Sequence, residues 1–109
     1  CGTTTCTAST GPATQDAHGI LARMEKGTIA DNTVTGVQGG TGTGPSFGIV
    51  NSRFPTNVVI VGNSVSFSPE QSGGGGILCY GGVAARNVVN GHLGGIPNCI
   101  DGGGNYPGL

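Results

Sequence analysis

Charge is scarce in this 109-residue chain, because Asp, Glu, Lys and Arg make up only 8% of it and the net charge is −1. Because acidic and basic residues are nearly equal in number, the chain has no positive surface potential that would attract nucleic acid or an anionic membrane. Long apolar runs are also missing. The longest purely aliphatic stretch is Val58 to Val61, far below the roughly 20 residues of a membrane-spanning helix. No helical apolar period extends over a useful length. We therefore expect no nucleic-acid partner, no membrane span and no helical fold.

Glycine is abundant where charge is not: 24 Gly and 6 Pro together make 30 of the 109 residues. Without a period, such a fraction favours a disordered, low-complexity chain. Here the glycines cluster between short apolar words, and the chain lacks the charge that keeps disordered segments expanded. An ordered chain with glycine-rich loops is the better interpretation.

A repeated word organises the chain: an apolar residue, two residues, Asn, one residue and Val. It occurs as Ile29/Asn32/Val34, Ile60/Asn63/Val65 and Ala84/Asn87/Val89. A Gly-Ile pair recurs in phase with it, at Gly19-Ile20, Gly48-Ile49 and Gly76-Ile77. The Asn spacings (63 − 32 = 31, 87 − 63 = 24) and the Gly spacings (48 − 19 = 29, 76 − 48 = 28) differ, so loops vary between fixed strand words. This pattern indicates a solenoid.

The repeat predicts clear coils over 18–35, 47–67 and 76–89, with loops at 36–46 and 68–75 and a partial word at 98–101. Residues 1–17 are predicted to be a partial coil or an extension, and residues 18–109 the solenoid. Asn tolerates left-handed backbone angles, so each Asn is expected to turn a corner. Coils about 4.8 Å apart would then align Asn32, Asn63 and Asn87 in a structural amide column.

These Gly-Ile and Ile-x-x-Asn-x-Val words resemble those of right-handed parallel β-helix proteins of the pectin-lyase-like class, over residues 18–105. The resemblance implies an all-β fold, a right-handed single-stranded parallel β-helix of about three to four coils. It leaves the function open, since the class includes pectate lyases, polygalacturonases, alginate epimerases, phage tailspikes and structural surface proteins. Two features depart from the class: the coils are few, and no capping helix is evident at residues 1–10 or 105–109.

Four cysteines, Cys1, Cys6, Cys79 and Cys99, fit an oxidising compartment and two disulfides. Three pairings are possible. Cys79–Cys99 is favoured because 20 residues is close to one turn of the solenoid, which leaves Cys1–Cys6. No C-x-x-C spacing supports a zinc site. The chain begins without Met, so it is interpreted as processed or as part of a longer protein, and a lipidated Cys1 stays open.

Catalytic signals are weak. The five acidic residues, Asp16, Glu25, Asp31, Glu70 and Asp101, recur at no common position of the repeat. The segment 90–94 (Asn-Gly-His-Leu-Gly) faintly resembles the Gly-His-Gly word of polygalacturonases, but Leu93 replaces the second Gly and the paired Asp words are missing. The glycine run at 39–44 lacks the Lys-Ser/Thr of a phosphate-binding loop. We expect no catalytic residue, no cofactor and no metal.

Two surface features are more suggestive. The residue after each Gly-Ile pair, Leu21, Val50 or Leu78, is expected to face outward by strand alternation, forming an interface column for a loop or another chain. Arg23, Arg53 and Tyr80 fall at similar positions of successive coils and form a candidate sugar-facing stripe.

The functional prediction follows from the open ends of a short solenoid, which present unpaired backbone groups. We expect an extracellular or cell-surface structural or adhesive module that self-associates laterally or head to tail, as a heterologous contact that does not close builds a fibre. The alternatives are part of a polysaccharide lyase, hydrolase or tailspike whose catalytic residues lie elsewhere, and a carbohydrate-binding module.

Overall fold

The computed structural model describes residues 16–39, 45–54 and 56–108, and its regular elements are all β-strands. They are β1 (Ala17–Ala22), β2 (Lys26–Ala30), β3 (Thr33–Thr35), β4 (Ser46–Asn51), β5 (Asn57–Val61), β6 (Ser64–Gln71), β7 (Gly74–Leu78), β8 (Val83–Ala85), β9 (Val88–His92) and β10 (Ile100–Asp101). Over these ranges no helix occurs, and hence none long and apolar enough to span a bilayer. The prediction of an all-β fold without helices is confirmed.

The described strands form three sheets whose pairings are all parallel. Their orders are β1-β4-β7, β10-β8-β5-β2 and β3-β6-β9. The chain thus passes through the three sheets in the same order three times, as β1 to β3, β4 to β6 and β7 to β9, before β10 joins the second sheet. Each strand therefore pairs with strands of the pass before or after it.

The repeated words lie in register. In the second sheet Ile29 pairs with Ile60, and Ile60 with Ala84. In the third, Val34 pairs with Val65, and Val65 with Val89. The Gly-Ile words align in the first sheet, where the pairs are Ile20 with Ile49 and Ile49 with Ile77. Residues with the same place in the word thus have the same place in a sheet.

The core lies between the sheets. Ile49, Ile60 and Ile77 are fully buried, and the cluster around them draws on all three sheets. Each such side chain contributes about 1.5–3 kcal/mol through its removal from water. Because the sheets share this one cluster, no pass buries its apolar side chains alone.

The glycine of the Gly-Ile word makes room for the valine of the other word. A Cβ at Gly48 would overlap the side chain of Val65 and lie 2.6 Å from the Gly76 carbonyl oxygen. Gly19 and Gly76 stand in the same relation to Val34 and Val89. The first and third sheets therefore approach so closely at these positions that any side chain larger than hydrogen must displace a core valine.

Some predicted boundaries need correction. Strand β6 continues to Gln71, so the predicted loop at 68–75 shrinks to residues 72–73. The Gln71 side chain is 3% exposed, accepts a hydrogen bond from the Gly39 N–H at 3.3 Å and donates one to the Pro69 carbonyl at 3.1 Å. These bonds give the buried amide its partners at the end of the longer strand. The partial coil at 1–17 and the proposed Cys1–Cys6 bond fall almost entirely outside the described residues, and the boundary between 1–17 and 18–109 stays a prediction.

Candidate functional site

Four asparagines form a hydrogen-bonded column, here called the asparagine ladder: Asn32, Asn63, Asn87 and Asn105. The Oδ1 of Asn63 accepts from the Asn32 backbone N–H at 2.9 Å and from Asn32 Nδ2 at 3.1 Å. Asn87 Oδ1 accepts from the same two groups of Asn63, both at 3.0 Å. Asn105 Oδ1 accepts from those of Asn87, both at 3.1 Å. Asn63 and Asn87 are 1% and 0% exposed.

In three of the four ladder asparagines, the second N–H of the side-chain amide donates to a carbonyl of the preceding pass. Asn63 Nδ2 donates to the Ile29 carbonyl at 3.0 Å and Asn87 Nδ2 to the Ile60 carbonyl at 2.8 Å. Asn105 Nδ2 likewise donates to the carbonyl of Ala84 at 2.8 Å. The hydrogen-bonding groups of the buried amides are thus all used in bonds to neighbouring passes. These amides are therefore structural and have no free group for a ligand.

The corner of each pass lies one residue earlier than expected. The left-handed residues are those that precede the ladder asparagines: Asp31 (φ 59°), Gly62 (φ 69°), Arg86 (φ 51°) and Gly104 (φ 72°). The expectation that Asn itself turns the corner is therefore wrong. The side chain of Asn is needed for the ladder, and the preceding residue carries the bend.

The ladder ends at Asp101. Its Oδ1 accepts from Asn105 Nδ2 at 3.1 Å and from the Gly103 N–H at 2.8 Å. The carboxylate therefore occupies the place that the next Oδ1 would have taken. Sequence analysis assigned Asp101 no role and did not include Asn105 in the column.

His92, in the faint Gly-His-Gly-like word, is 7% exposed and lies among backbone groups. Its Nε2 lies 3.0 Å from the Ser46 carbonyl oxygen and 3.1 Å from that of Gly73. Its Nδ1 accepts from the Gly94 N–H at 2.9 Å. Carbonyls only accept and an N–H only donates, so the ring is neutral with its proton on Nε2. Burial lowers the pKa of His92 from 6.5, and the two carbonyl hydrogen bonds oppose that effect.

The acidic residues do not gather. Glu25 lies 3.7 Å from Arg53 in an exposed ion pair, Asp31 is a corner residue, and Asp101 ends the ladder. Asp16 precedes β1 and Glu70 lies on β6, both exposed. Within the described ranges no three His, Cys, Asp or Glu side chains form a cluster that could hold a metal ion. The described part of the chain also contains no pocket.

The candidate sugar-facing residues follow the carboxyl ends of the three strands of the first sheet. Arg23, Arg53 and Tyr80 are all exposed. Tyr80 has a left-handed backbone (φ 49°), a rare conformation for a bulky residue and one found often at functional sites. Phe54, which sequence analysis did not select, is 71% exposed, and Gly81 faces its ring closely enough that a Cβ there would lie 3.1 Å from Phe54 Cε2.

The aliphatic column is covered at two of its three residues. Leu21, Val50 and Leu78 pair in register on the first sheet. Val50 and Leu78, however, are only 4% and 7% exposed, whereas Leu21 is 54% exposed. Both buried residues lie outside the main core cluster. Alternation does direct them away from the core, but that face of the sheet is itself covered, so only Leu21 remains as a candidate contact.

Cys79 and Cys99 form a disulfide with a Cα–Cα distance of 5.0 Å, the pairing favoured by their spacing. It ties the residue that follows β7, the first strand of the third pass, to the residue just before β10. The same segment is held by backbone bonds, from the Gly81 N–H to the Asn98 carbonyl and from the Ile100 N–H to that of Gly82.

A further structural amide, Asn51, holds the segment from which Phe54 projects. Asn51 is 0% exposed, and its side chain bonds the N–H and the carbonyl of Met24, at 2.7 and 3.1 Å, and the hydroxyl of Thr56 at 3.2 Å. Asn51 stands outside the repeated word. Its role becomes visible only in the fold, where Asn51 ends the buried strand β4.

Comparison with protein-family models, with curated proteins and with solved structures finds no match to this chain. The similarity to pectin-lyase-like β-helix proteins therefore rests on the repeated words and enters below as a proposal.

Proposed function

We propose that this chain is an extracellular structural or adhesive module built as a short right-handed parallel β-helix. The observation that carries the proposal is the asparagine ladder, whose buried amides bond successive passes to one another. Polar side chains in the interior are costly to bury and here serve cohesion between passes. A solenoid in which each coil depends on its neighbours is the architecture that such bonds favour.

Two further observations support the proposal, one on the architecture and one on the compartment. The chain passes three times through three parallel sheets in one order, as the coils of a β-helix would. Connections between parallel strands of one sheet are right-handed in about 98% of cases, which favours the right hand for the path from β1 through β2 and β3 to β4. The Cys79–Cys99 disulfide supports an oxidising compartment.

Self-association, either head to tail or lateral, belongs to this proposal. Among the strands that the structure describes, β2 is a terminal strand of the second sheet, and four of its five residues are exposed. Asn57 N–H donates to the Glu25 carbonyl and Asp31 N–H to that of Val61, so the odd-numbered residues of this segment bond to β5. The backbone groups of Lys26, Thr28 and Ala30 therefore face the other edge, where a strand of a second copy would add.

The test compares the purified chain with two lysine variants by electron microscopy and light scattering. Thr28→Lys places a charge on the β2 edge, and Asn57→Lys places one on an exposed position of the interior strand β5. Rods or oligomers that disappear in Thr28→Lys and persist in Asn57→Lys would support association through β2. A chain that stays a monodisperse monomer at high concentration would overturn self-association.

A second candidate function is polysaccharide binding, alone or as part of a larger lyase, hydrolase or tailspike. The observation that favours it is the exposure of two aromatic residues: Phe54, which follows Arg53, and Tyr80, which precedes the Gly81 that faces the Phe54 ring. Glycan binding that is lost in Phe54→Ala and Tyr80→Ala but retained in Tyr106→Ala, where the exposed aromatic lies elsewhere, would support it. Absence of binding to any polysaccharide would remove it.

A further inference from the structure

His92 fastens a turn over the edge of β7. The Gly94 N–H donates to His92 Nδ1, and the following Gly95 N–H donates to the His92 carbonyl at 3.3 Å. The Leu93 N–H donates to the Gln71 carbonyl at 2.9 Å. Among the three bonds that hold the turn at 93–95, the one to the ring nitrogen is the one that a change of protonation state can alter.

That turn gives the edge of β7 its hydrogen-bond acceptor. The Gly95 carbonyl accepts from the Gly76 N–H at 2.7 Å and from the Ile77 N–H at 3.2 Å. Gly76 and Ile77 are buried, so without Gly95 these amides would lack a partner or require water. The backbone amides at the edge of β7 are therefore hydrogen-bonded only while the turn at 93–95 keeps its position.

The surroundings of the ring favour a single protonation state. Ser46 of β4 and Gly73 present carbonyls to Nε2, and Phe67 of β6 packs edge-on with its centroid 4.7 Å from that of the imidazole. The charged side chain on the elements that pack here, Glu70 of β6, is exposed. A second ring proton would gain no buried carboxylate as compensation.

We propose that His92 is an acid-sensitive clasp, in which protonation of Nδ1 breaks the bond from the Gly94 N–H and frees the turn at 93–95 from the edge of β7. Protonation turns the acceptor into a donor, so two N–H groups then face each other across 2.9 Å. The Nε2 bonds to the Ser46 and Gly73 carbonyls survive the change, so the ring stays anchored while the turn leaves. The pass itself remains in place because Cys79–Cys99 holds the chain beyond the turn.

The direction of the response follows from burial. Because burial lowers the pKa of His92, the clasp is closed at neutral pH and opens only at a pH more acidic than that at which an exposed histidine is protonated. Only the protonated ring opposes Gly94, so raising the pH restores the closed turn.

The test is residue-resolved amide exchange by NMR, from about pH 7.5 to about pH 5, with each rate divided by its intrinsic value. We expect protection of the Gly76, Ile77 and Gly94 amides to fall about tenfold or more over this range, while the ladder amides of Asn63 and Asn87 keep theirs. The midpoint should coincide with the titration of the His92 ring carbons. His18→Gln, which changes the exposed second histidine, should leave the response intact, and His92→Gln should abolish it.

Opposite results are equally defined. If the ring titrates while Gly76 and Ile77 stay protected, the clasp is overturned. The same holds if His92→Gln retains the wild-type pH response, or if His18→Gln removes it. Should His92→Gln fail to fold, the coincidence of ring and amide midpoints in the wild type and in His18→Gln decides the question.

Discussion

The two terminal strands of the second sheet, β2 and β10, are built differently. Strand β2 has five residues and four of them are exposed. Strand β10 has two residues, lies between Cys99 of the disulfide and Gly102, and carries the Asp101 carboxylate that ends the ladder. Prolines, which cannot donate a backbone hydrogen bond, stand on either side of it at Pro97 and Pro107. Within the described residues, the β10 edge, here called the late end, is thus short, cross-linked and flanked by a carboxylate and two prolines. The β2 edge is an ordinary strand edge.

This difference limits how copies could associate. A strand that adds to β2 meets a regular row of backbone groups, whereas one that approaches β10 meets a short strand and a carboxylate. Association at β2 is therefore favoured over a contact at the late end. In a head-to-tail fibre, the β2 edge of one copy would contact the β10 edge of the next. The β10 edge is the less favourable of the two, so it decides whether such a fibre can form.

The largest expected effect is a difference in stability between two alanine variants, one in the interior of the asparagine ladder and one at its first residue. Asn87→Ala removes the shared acceptor of two donors of Asn63 and the donor to the Ile60 carbonyl in a buried site, so we expect a loss of about 3–5 kcal/mol in the free energy of unfolding. Asn32 is partly exposed and donates to a shared acceptor, so Asn32→Ala should cost about 1 kcal/mol. Urea denaturation measures both, with exposed Asn90→Ala as the control. Equal losses at positions 32 and 87 would contradict a graded ladder.

The next effect removes the cross-link of the late end. Replacing both Cys79 and Cys99 with Ala opens a loop of sequence separation 20, which should cost about 3 kcal/mol. The amides of residues 98–106 should lose protection from exchange before those of β2 do. If all amides lose protection together, the late end is not a separately held region.

A smaller effect tests the corners, which both regions share. Gly62 and Gly104 have left-handed backbones, so an alanine at either place should cost about 1–2 kcal/mol. If Gly62→Ala and Gly104→Ala lose similar amounts of stability in thermal denaturation, the corners do not distinguish the two regions. The difference between β2 and β10 would then come from the disulfide and the Asp101 carboxylate. A loss at Gly62 alone would instead show that the last corner contributes little.

The smallest effect concerns the end of the ladder itself. Asp101→Ala removes the acceptor for Asn105 Nδ2 and the Gly103 N–H at an exposed site, so we expect about 1 kcal/mol of destabilisation. Asp101→Asn keeps an acceptor oxygen and should lose less. Calorimetry at low salt measures the two variants, and an unchanged Asp101→Ala would mean that the terminal carboxylate stabilises nothing.

The repeated words predicted much of the arrangement because they combine backbone and core requirements. Ile29, Ile60 and Ala84 pair as expected, since a buried column tolerates only small or aliphatic side chains there. Asn105 escaped the template because one residue is inserted: Asp101 pairs with Ala84, and Asn105 lies 105 − 101 = 4 residues on, against 87 − 84 = 3 in the third pass. Asp101 also replaces the apolar residue of the word at this position.

What the sequence could not supply were contacts across the chain. The burial of Val50 depends on what covers the outer face of a sheet, which strand alternation does not specify. The role of His92 depends on two carbonyls far away in sequence, those of Ser46 and Gly73. The local word singled out this residue only through a faint resemblance to a catalytic motif, and no catalytic role was predicted for it; its surroundings make it a structural group.

The asparagine ladder also has an electrical polarity. In each rung the Oδ1 points toward the earlier pass, and one Nδ2–H points toward the next. The amide dipoles therefore add along the axis and polarise one another, much as peptide dipoles do in an α-helix. The positive end of this array is at Asn105, where the carboxylate of Asp101 lies 3.1 Å away. Asp101 is thus a counter-charge for the whole column, as an acidic residue is at a helix N-terminus.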